Sequence, residues 1–213
     1  MPDKYKNFAD LAQHEDAGID YQVRVRRARP AFAIIAPHGG GIEPGTSEIA
    51  DGIAAATHSF YAFDGLKAKK NSDLHITSTH FDEPLCEQLL TTSAVVVTLH
   101  GEQSEDGEGV FLGGLDDSLG EQIGTALTEQ GFDVRVHPNP NLQGREKTNV
   151  CNRGTSGAGV QLELSRSVRE TLFESLSAEG RKHPTRRFTE FVTAVRTVLD
   201  SRSASNVRAA GRS

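Results

Sequence analysis

Four residues of this 213-residue chain carry side chains that a hydrolytic metal centre uses: His38, Glu43, His100 and Glu163. His38 and Glu43 lie in Pro37-His38-Gly39-Gly40-Gly41-Ile42-Glu43-Pro44-Gly45, directly after the apolar run Ala31–Ala36. His100 follows the run Ala94–Leu99, and Glu163 sits near the end of Val160–Leu164. A catalytic zinc takes about three protein ligands from histidines and carboxylates and keeps an open position for water, whose pKa it lowers to about 7. Two imidazoles and one carboxylate meet that requirement, and a second carboxylate is left to move protons. The glycines at 39, 40 and 41 let the backbone turn sharply, so residues five apart can converge. The HxxxxE spacing alone is weak, because a loop histidine bonded to backbone and a carboxylate near a helix start produce the same pattern. His100 after the strongest β-branched run, and an acid inside an apolar strand, turn the balance toward a metal. An acid buried in a strand needs a partner, a ligand or a function.

Other residues compete for these roles. His80 and Glu83 form an HxxE pair, a spacing that zinc carboxypeptidases use, but Glu83 precedes Pro84 at an apparent helix start. His75 reads as a strand histidine with a substrate-facing role, flanked by Thr77, Ser78 and Thr79 that could line a polar cleft. His58, His137 and His183 have no partner pattern and read as surface residues, and His14 belongs to a polar N-terminal arm. Cys151 lacks an adjacent activating base, and non-disulfide cysteines are mostly buried and inert. Around it, Asn149-Val150-Cys151-Asn152-Arg153-Gly154 reads as a substrate loop. Arg153 would offer a planar fork to a carboxylate and Asn152 amide hydrogen bonds. The alternative for Arg153 is an ion pair with the acidic loop Glu102–Glu108. Arg166, Arg169, Lys67, Lys69 and Lys70 read as solvated surface charge.

The elements that must position these groups alternate between strand and helix. Strands are expected at Tyr21–Val25, Ala31–Ala36, Ser59–Phe63, Asp73–Ser78, Ala94–Leu99, Val110–Leu112, Phe132–Val136 and Gly159–Leu164. Helices are expected from a Thr46 or Ser47 cap onward, and at Pro84–Leu90, Ser118–Gln130, Ser167–Ser175 and Pro184–Leu199. This alternation predicts a single three-layer α/β domain with a mostly parallel or mixed sheet. It spans residues 21–200, between a polar arm (1–20) and a disordered tail (201–213). In such folds ligands gather beyond the carboxyl ends of the strands, where His38, His100 and Glu163 fall.

Composition narrows the function classes. With 23 Lys and Arg against 29 Asp and Glu, the net charge of −6 argues against a nucleic-acid partner. The apolar runs are too short for a membrane span, and the first twenty residues lack the apolar core of a secretory leader. A cytoplasmic protein, releasable by lysis, is expected. The two cysteines form no disulfide framework.

The segment Ala36-Pro-His-Gly-Gly-Gly-Ile-Glu-Pro-Gly-Thr-Ser-Glu48 resembles the hallmark of the phage-type poly-γ-glutamate hydrolases. Phe60-Tyr61-Ala62-Phe63, Leu74-His75-Ile76-Thr77-Ser78, Phe81-Asp82-Glu83-Pro84, Leu99-His100-Gly101 and Asn152-Arg153-Gly154-Thr155 are also similar. The resemblance runs from about residue 20 to 200. It implies a fold like the zinc carboxypeptidases, one Zn²⁺ on His38, Glu43 and His100, and Glu163 as acid and base. It also implies endo-acting hydrolysis of γ-linked glutamate chains. Relatives are also labelled phage-related replication proteins, a label no residue here explains. A zinc amidase acting on peptidoglycan or small N-acyl amino acids would use the same ligand set. A non-enzymatic replication accessory protein would not need it.

Overall fold

A computed structural model describes residues 3–28, 32–102 and 108–210, and the side chains of all of these except 205–210. Seven strands form one mixed sheet: β1 (Tyr21–Arg26), β2 (Phe32–Gly40), β3 (Ser59–Gly65), β4 (Val95–Gly101), β5 (Val110–Gly114), β6 (Val134–Val136) and β7 (Val160–Leu164). Their order across the sheet is β1-β3-β2-β4-β7-β5-β6. The central strands β3, β2, β4 and β7 run parallel, β1 and β5 pair antiparallel with β3 and β7, and β6 lies parallel to β5. The carboxyl ends of β2, β4 and β7 therefore meet along one edge of the sheet centre.

Strand alternation builds the three layers. In β2, Phe32, Ile34 and Ala36 pack with Ile49 and Ile53 of α2 (Thr46–Ala54). The same core takes Leu119 and Ile123 of α4 (Asp117–Glu129), Leu172 of α5 (Arg166–Leu172), and Phe191 and Val195 of α6 (Arg186–Ala210). Ala33 and Ile35 point the other way, into a second core with Cys86, Leu89 and Leu90 of α3 (Pro84–Leu90) and with Leu74, Ile76 and Phe81. The single α/β domain predicted from strand–helix alternation is thus present, and its sheet is mixed.

Several elements differ from the sequence-based expectation. The N-terminal arm is not free: Tyr5 and Leu11, the latter in the short helix α1 (Phe8–Leu11), are buried in the second core, and Glu15 pairs with Lys4 and Lys67. Asp73–Ser78 is no strand, because Asn71–Leu74 forms a 3₁₀ turn and the Thr77 amide is taken by the Asp3 carboxylate. Strand β2 continues through the expected glycine loop to Gly40, with a register shift between Ala36 and Gly39. Helix α2 is capped by Gly45 rather than Thr46 or Ser47, whose hydroxyls bond elsewhere. Helix α6 passes Leu199 and reaches Ala210, as no glycine or proline interrupts 201–210. Ala31, Arg29, residues 103–107 of the acidic loop and 211–213 of the tail lie outside the described residues. Among the described residues no helix is long and apolar enough to cross a membrane.

Phe191 is fully buried with its ring edge-on to Phe132 at 5.1 Å. Phe191→Ala should lower the unfolding free energy by about 3–5 kcal/mol, measured by urea denaturation. A loss under about 1 kcal/mol would show that α6 is not part of the cooperative core.

Candidate active site

The turn after β2 is closed by its own backbone: the Glu43 amide donates to the His38 carbonyl at 2.9 Å, bringing the two side chains back together. Gly40 makes the turn possible with φ +64°, and a Cβ there would lie 2.5 Å from the Gly65 carbonyl. His38 Nδ1 then stands 3.1 Å from Glu43 Oε1. Strand β4 delivers His100, whose Nδ1 is 3.2 Å from His38 Nδ1 and 3.7 Å from Glu43 Oε2. The Gly101 amide donates to Glu43 Oε2 at 2.8 Å and fixes the carboxylate. Beside His100 in the sheet register is Glu163 of β7, which accepts a hydrogen bond from Gln161 Nε2 at 3.0 Å.

These contacts pose an electrostatic problem. His38 Nε2 lies 2.8 Å from the Ile76 carbonyl, which can only accept, so in the neutral ring that nitrogen carries the proton and Nδ1 is bare. A bare ring nitrogen pointed at a carboxylate oxygen and at a second ring nitrogen is repulsive unless a proton or a metal cation lies among them. Donor atoms on a tetrahedral zinc with bonds of about 2.0–2.1 Å are roughly 3.3–3.4 Å apart. The three separations here bracket that value, so His38, Glu43 and His100 fit a zinc ion in donor type and spacing. A donor atom of His75 also comes within 4.8 Å of those of His38 and Glu43. Its ring lies against His38 (centroids 4.0 Å apart), while its Nδ1 is held by Asp3 Oδ1 at 2.7 Å. The two sets share His38 and Glu43, and His75, unlike His100, already spends Nδ1 on a carboxylate.

Burial and neighbouring charges tune the acids in opposite directions. Without a metal, protons take the cation's place: burial opposes the charge on Glu43, but protonated His38 and His100 overcome it by charge and hydrogen bonding and hold this carboxyl well below the usual range. Glu163 is pushed up to about 7, mainly by burial, with His100 opposing and Glu43 and Glu102 reinforcing. Burial disfavours the charged form of His100, yet Glu163 and Glu43 raise its pKa. The His38 charge, followed by burial, lowers His75 to about 4. Two carboxylates a few residues from one another in space therefore hold opposite protonation preferences, the pattern of a ligand and a base.

A cleft of about 580 Å³ opens over this cluster, lined by His38, Glu43, His75, His100, Arg145 and Glu163 among others. A larger groove of about 970 Å³ lies behind the glycine turn. Its cations Arg24, Lys67, Arg181 and Lys182 are paired with Asp64, Glu15, Glu48 and Glu179, and none of the histidines lines it. The histidines, Glu43 and Glu163 belong to the smaller cleft.

Other sequence assignments change. Arg153 does not line the cleft: it pairs with Glu87 at 2.8 Å and donates to the Phe81 carbonyl, so it ties a loop to α3. Asn152 is buried, and both ends of its amide are spent on backbone, donating to Gly144 and Glu146 carbonyls and accepting from Leu115 and Gly159 amides. Neither lines the cleft. Glu83 caps α3 by accepting from the Cys86 amide, and His80 is exposed, so Glu83 serves the helix start and the two do not act as a pair. Cys151 is buried and its thiol is pushed up to about 12, chiefly by burial, which makes it inert. His137 and His58 are buried rather than on the surface: His137 Nε2 donates to Glu102 Oε1 at 2.8 Å, and His58 pairs with Asp200 at 3.1 Å. Arg169 is buried as well. Sequence reasoning missed Asp3, Gln161, Glu102 with His137, and Arg145. Only Gln161 left a trace, two residues from Glu163 and so on the same strand face.

An open mixed sheet with polar groups gathered beyond the parallel strand ends is the three-layer α/β, zinc carboxypeptidase-like fold expected from the sequence. The sequence model of the poly-gamma-glutamate hydrolases matches residues 5–194, and the chain belongs to that family. UPF0714 protein YmaC of Bacillus subtilis (strain 168) is 36% identical over 203 residues, covering 94% of this chain and 85% of YmaC. YndL of the same organism is 37% identical over 194 residues, 89% of this chain and 75% of YndL. The structure of a bacteriophage poly-gamma-glutamate hydrolase superposes with a TM-score of 0.91 at 32% identity, over 95% of this chain and 99% of that one. The zinc-free apo structure of YndL gives 0.86 at 34% identity, over 93% and 98%. An N-formylglutamate amidohydrolase from Ralstonia eutropha JMP134, at 13% identity and a TM-score of 0.52, shares the fold.

Between about pH 4.5 and 7 the folded metal-free chain holds a proton on Glu163 that the unfolded chain has released, so this group lowers stability as pH rises across that window. Glu163→Gln cannot ionise. The metal-free variant should exceed wild type in Tm at pH 8 and by clearly less at pH 5. Equal Tm differences at both values would show that Glu163 is not buried as an acid.

Proposed function

We propose that this chain is a zinc-dependent endo-hydrolase of the γ-glutamyl amide bonds of poly-γ-glutamate, with zinc held by His38, Glu43 and His100. The observation that carries the reading is the bare His38 Nδ1 facing Glu43 and His100 at zinc-like spacing. The zinc-free state named for the YndL structure and the poly-gamma-glutamate hydrolase named for the phage structure support the metal and the substrate. When bound, zinc supplies Lewis acidity that acidifies a water and polarises an amide carbonyl.

The chain's own groups supply the rest. Glu163, buried beside His100, takes a proton from the attacking water and returns it to the departing α-amine. Gln161 holds its Oε1 in place. His75, fixed by Asp3, forms a cleft wall that meets substrate. Each substrate residue carries a carboxylate, and the cleft holds several acids. Arg145, which lines the cleft, supplies the guanidinium that Arg153 was expected to give. Its bonds to Asp117 are between exposed groups, so a substrate carboxylate can replace them at little cost.

Incubation with poly-γ-glutamate and, separately, with cell-wall fragments, followed by sizing of the products, tests the reading. Shortened poly-γ-glutamate with intact wall fragments is expected, and the reverse would make the chain a wall amidase. His100→Ala should lose both zinc and turnover; full turnover by a zinc-free preparation would refute the ligand set. Glu163→Gln should keep stoichiometric zinc while kcat falls on the order of 10²-fold or more, and unchanged kcat would remove it from the mechanism. Arg145→Ala should raise KM about tenfold, as expected for losing one charged hydrogen bond, with kcat nearly constant. An unaltered KM would place the substrate carboxylates elsewhere.

A further inference from the structure

Among the described residues, Arg169 heads the largest fully buried side chains. Its guanidinium reaches three main-chain carbonyls: Nη1 donates to Pro44 at 2.8 Å, Nη2 to Glu102 at 2.9 Å and Nε to Leu164 at 3.2 Å. Each acceptor belongs to a segment that presents a site residue. Pro44 follows Glu43, Leu164 follows Glu163, and Glu102 is two residues beyond His100. The three segments leave different strands and are joined here by one side chain.

Two further observations mark this as a built contact. Gly101 leaves the space the guanidinium fills, since a Cβ there would lie 2.6 Å from Arg169 Cζ. The guanidinium's hydrogen bonds go to carbonyls rather than to a carboxylate, and a buried charge so held is expensive unless it is needed. Burial lowers the pKa of this guanidinium, with Arg166 adding to the shift and Glu43, Glu163 and Glu170 opposing it. A lysine at this point could keep the charge but has no planar fork to span three acceptors.

We infer that Arg169 is a positioning residue: it sets the distance between the His38–Glu43–His100 cluster and Glu163 by clamping their three backbones from beneath. This rests on the proposed zinc hydrolase reading. Bonds that orient metal ligands typically change metal affinity or activity 10–100-fold when removed, and a displacement of about 1 Å at a reacting group costs about 10²-fold.

Arg169→Lys and Arg169→Met are compared with wild type by chelator-competition zinc affinity, by Tm, and by kcat and KM on poly-γ-glutamate per zinc-loaded folded molecule. Gly101→Ala, which pushes the guanidinium aside without removing it, is measured in parallel. Arg169→Lys should keep zinc affinity within roughly threefold while kcat falls about 10–100-fold and KM moves less than about threefold. Arg169→Met should also weaken zinc at least about tenfold. Gly101→Ala should reproduce the kcat loss with its arginine intact. If the variants lose Tm but keep wild-type kcat per loaded molecule and wild-type zinc affinity, Arg169 is merely structural and the inference falls. If wild type itself binds no zinc or leaves the polymer uncut, the functional reading fails instead, a separate outcome.

Discussion

The hydrogen bond from His38 Nε2 to the Ile76 carbonyl governs the site. In the neutral ring it fixes one tautomer, leaves Nδ1 without a proton and aims that lone pair at the Glu43 carboxylate and the His100 ring. In water such an arrangement would relax. Here it persists because Glu43 is held by the Gly101 amide, His38 by a bulged strand and His100 by the sheet register. The fold thus spends packing energy to concentrate acceptors, which is the condition under which a divalent cation binds tightly.

The same elements separate the roles of the two buried carboxyls. Glu43 faces two imidazoles and stays ionised, whereas Glu163 sits within a strand, near other acids, and gains proton affinity. Their distinction comes from position, one on a turn at the strand end and one inside the sheet. The guanidinium of Arg169 beneath both links the segments that carry them. The N-terminal segment closes the other side, where Asp3 fixes His75 against His38.

The sheet was legible because its central strands are short apolar runs, and such runs end where polar ligand groups begin. His38, Glu43, His100 and Glu163 could be grouped from this rule alone, and the structure brings them together. Arg153 and Asn152 misled because their chemistry suits a substrate carboxylate equally well as backbone anchoring; only three-dimensional placement distinguishes the two. Arg145 has no local pattern, since its place on the cleft depends on the long connection between β6 and β7. Asp3 is seventy-two residues from His75, and no spacing rule reaches that far. Arg169 looked like ordinary helix-surface charge because its burial follows from the absence of a Cβ at Gly101, on another element. Strand ends are written locally, whereas what crosses between them is not.

The most direct measurement is an anomalous difference map at the zinc edge from crystals of the zinc-loaded protein. The account predicts one peak within bonding distance of His38 Nδ1, His100 Nδ1 and a Glu43 oxygen, with Glu163 nearby but unbonded. A peak that bonds His75 while His100 stays out of reach, or no peak at the strand ends, would contradict it.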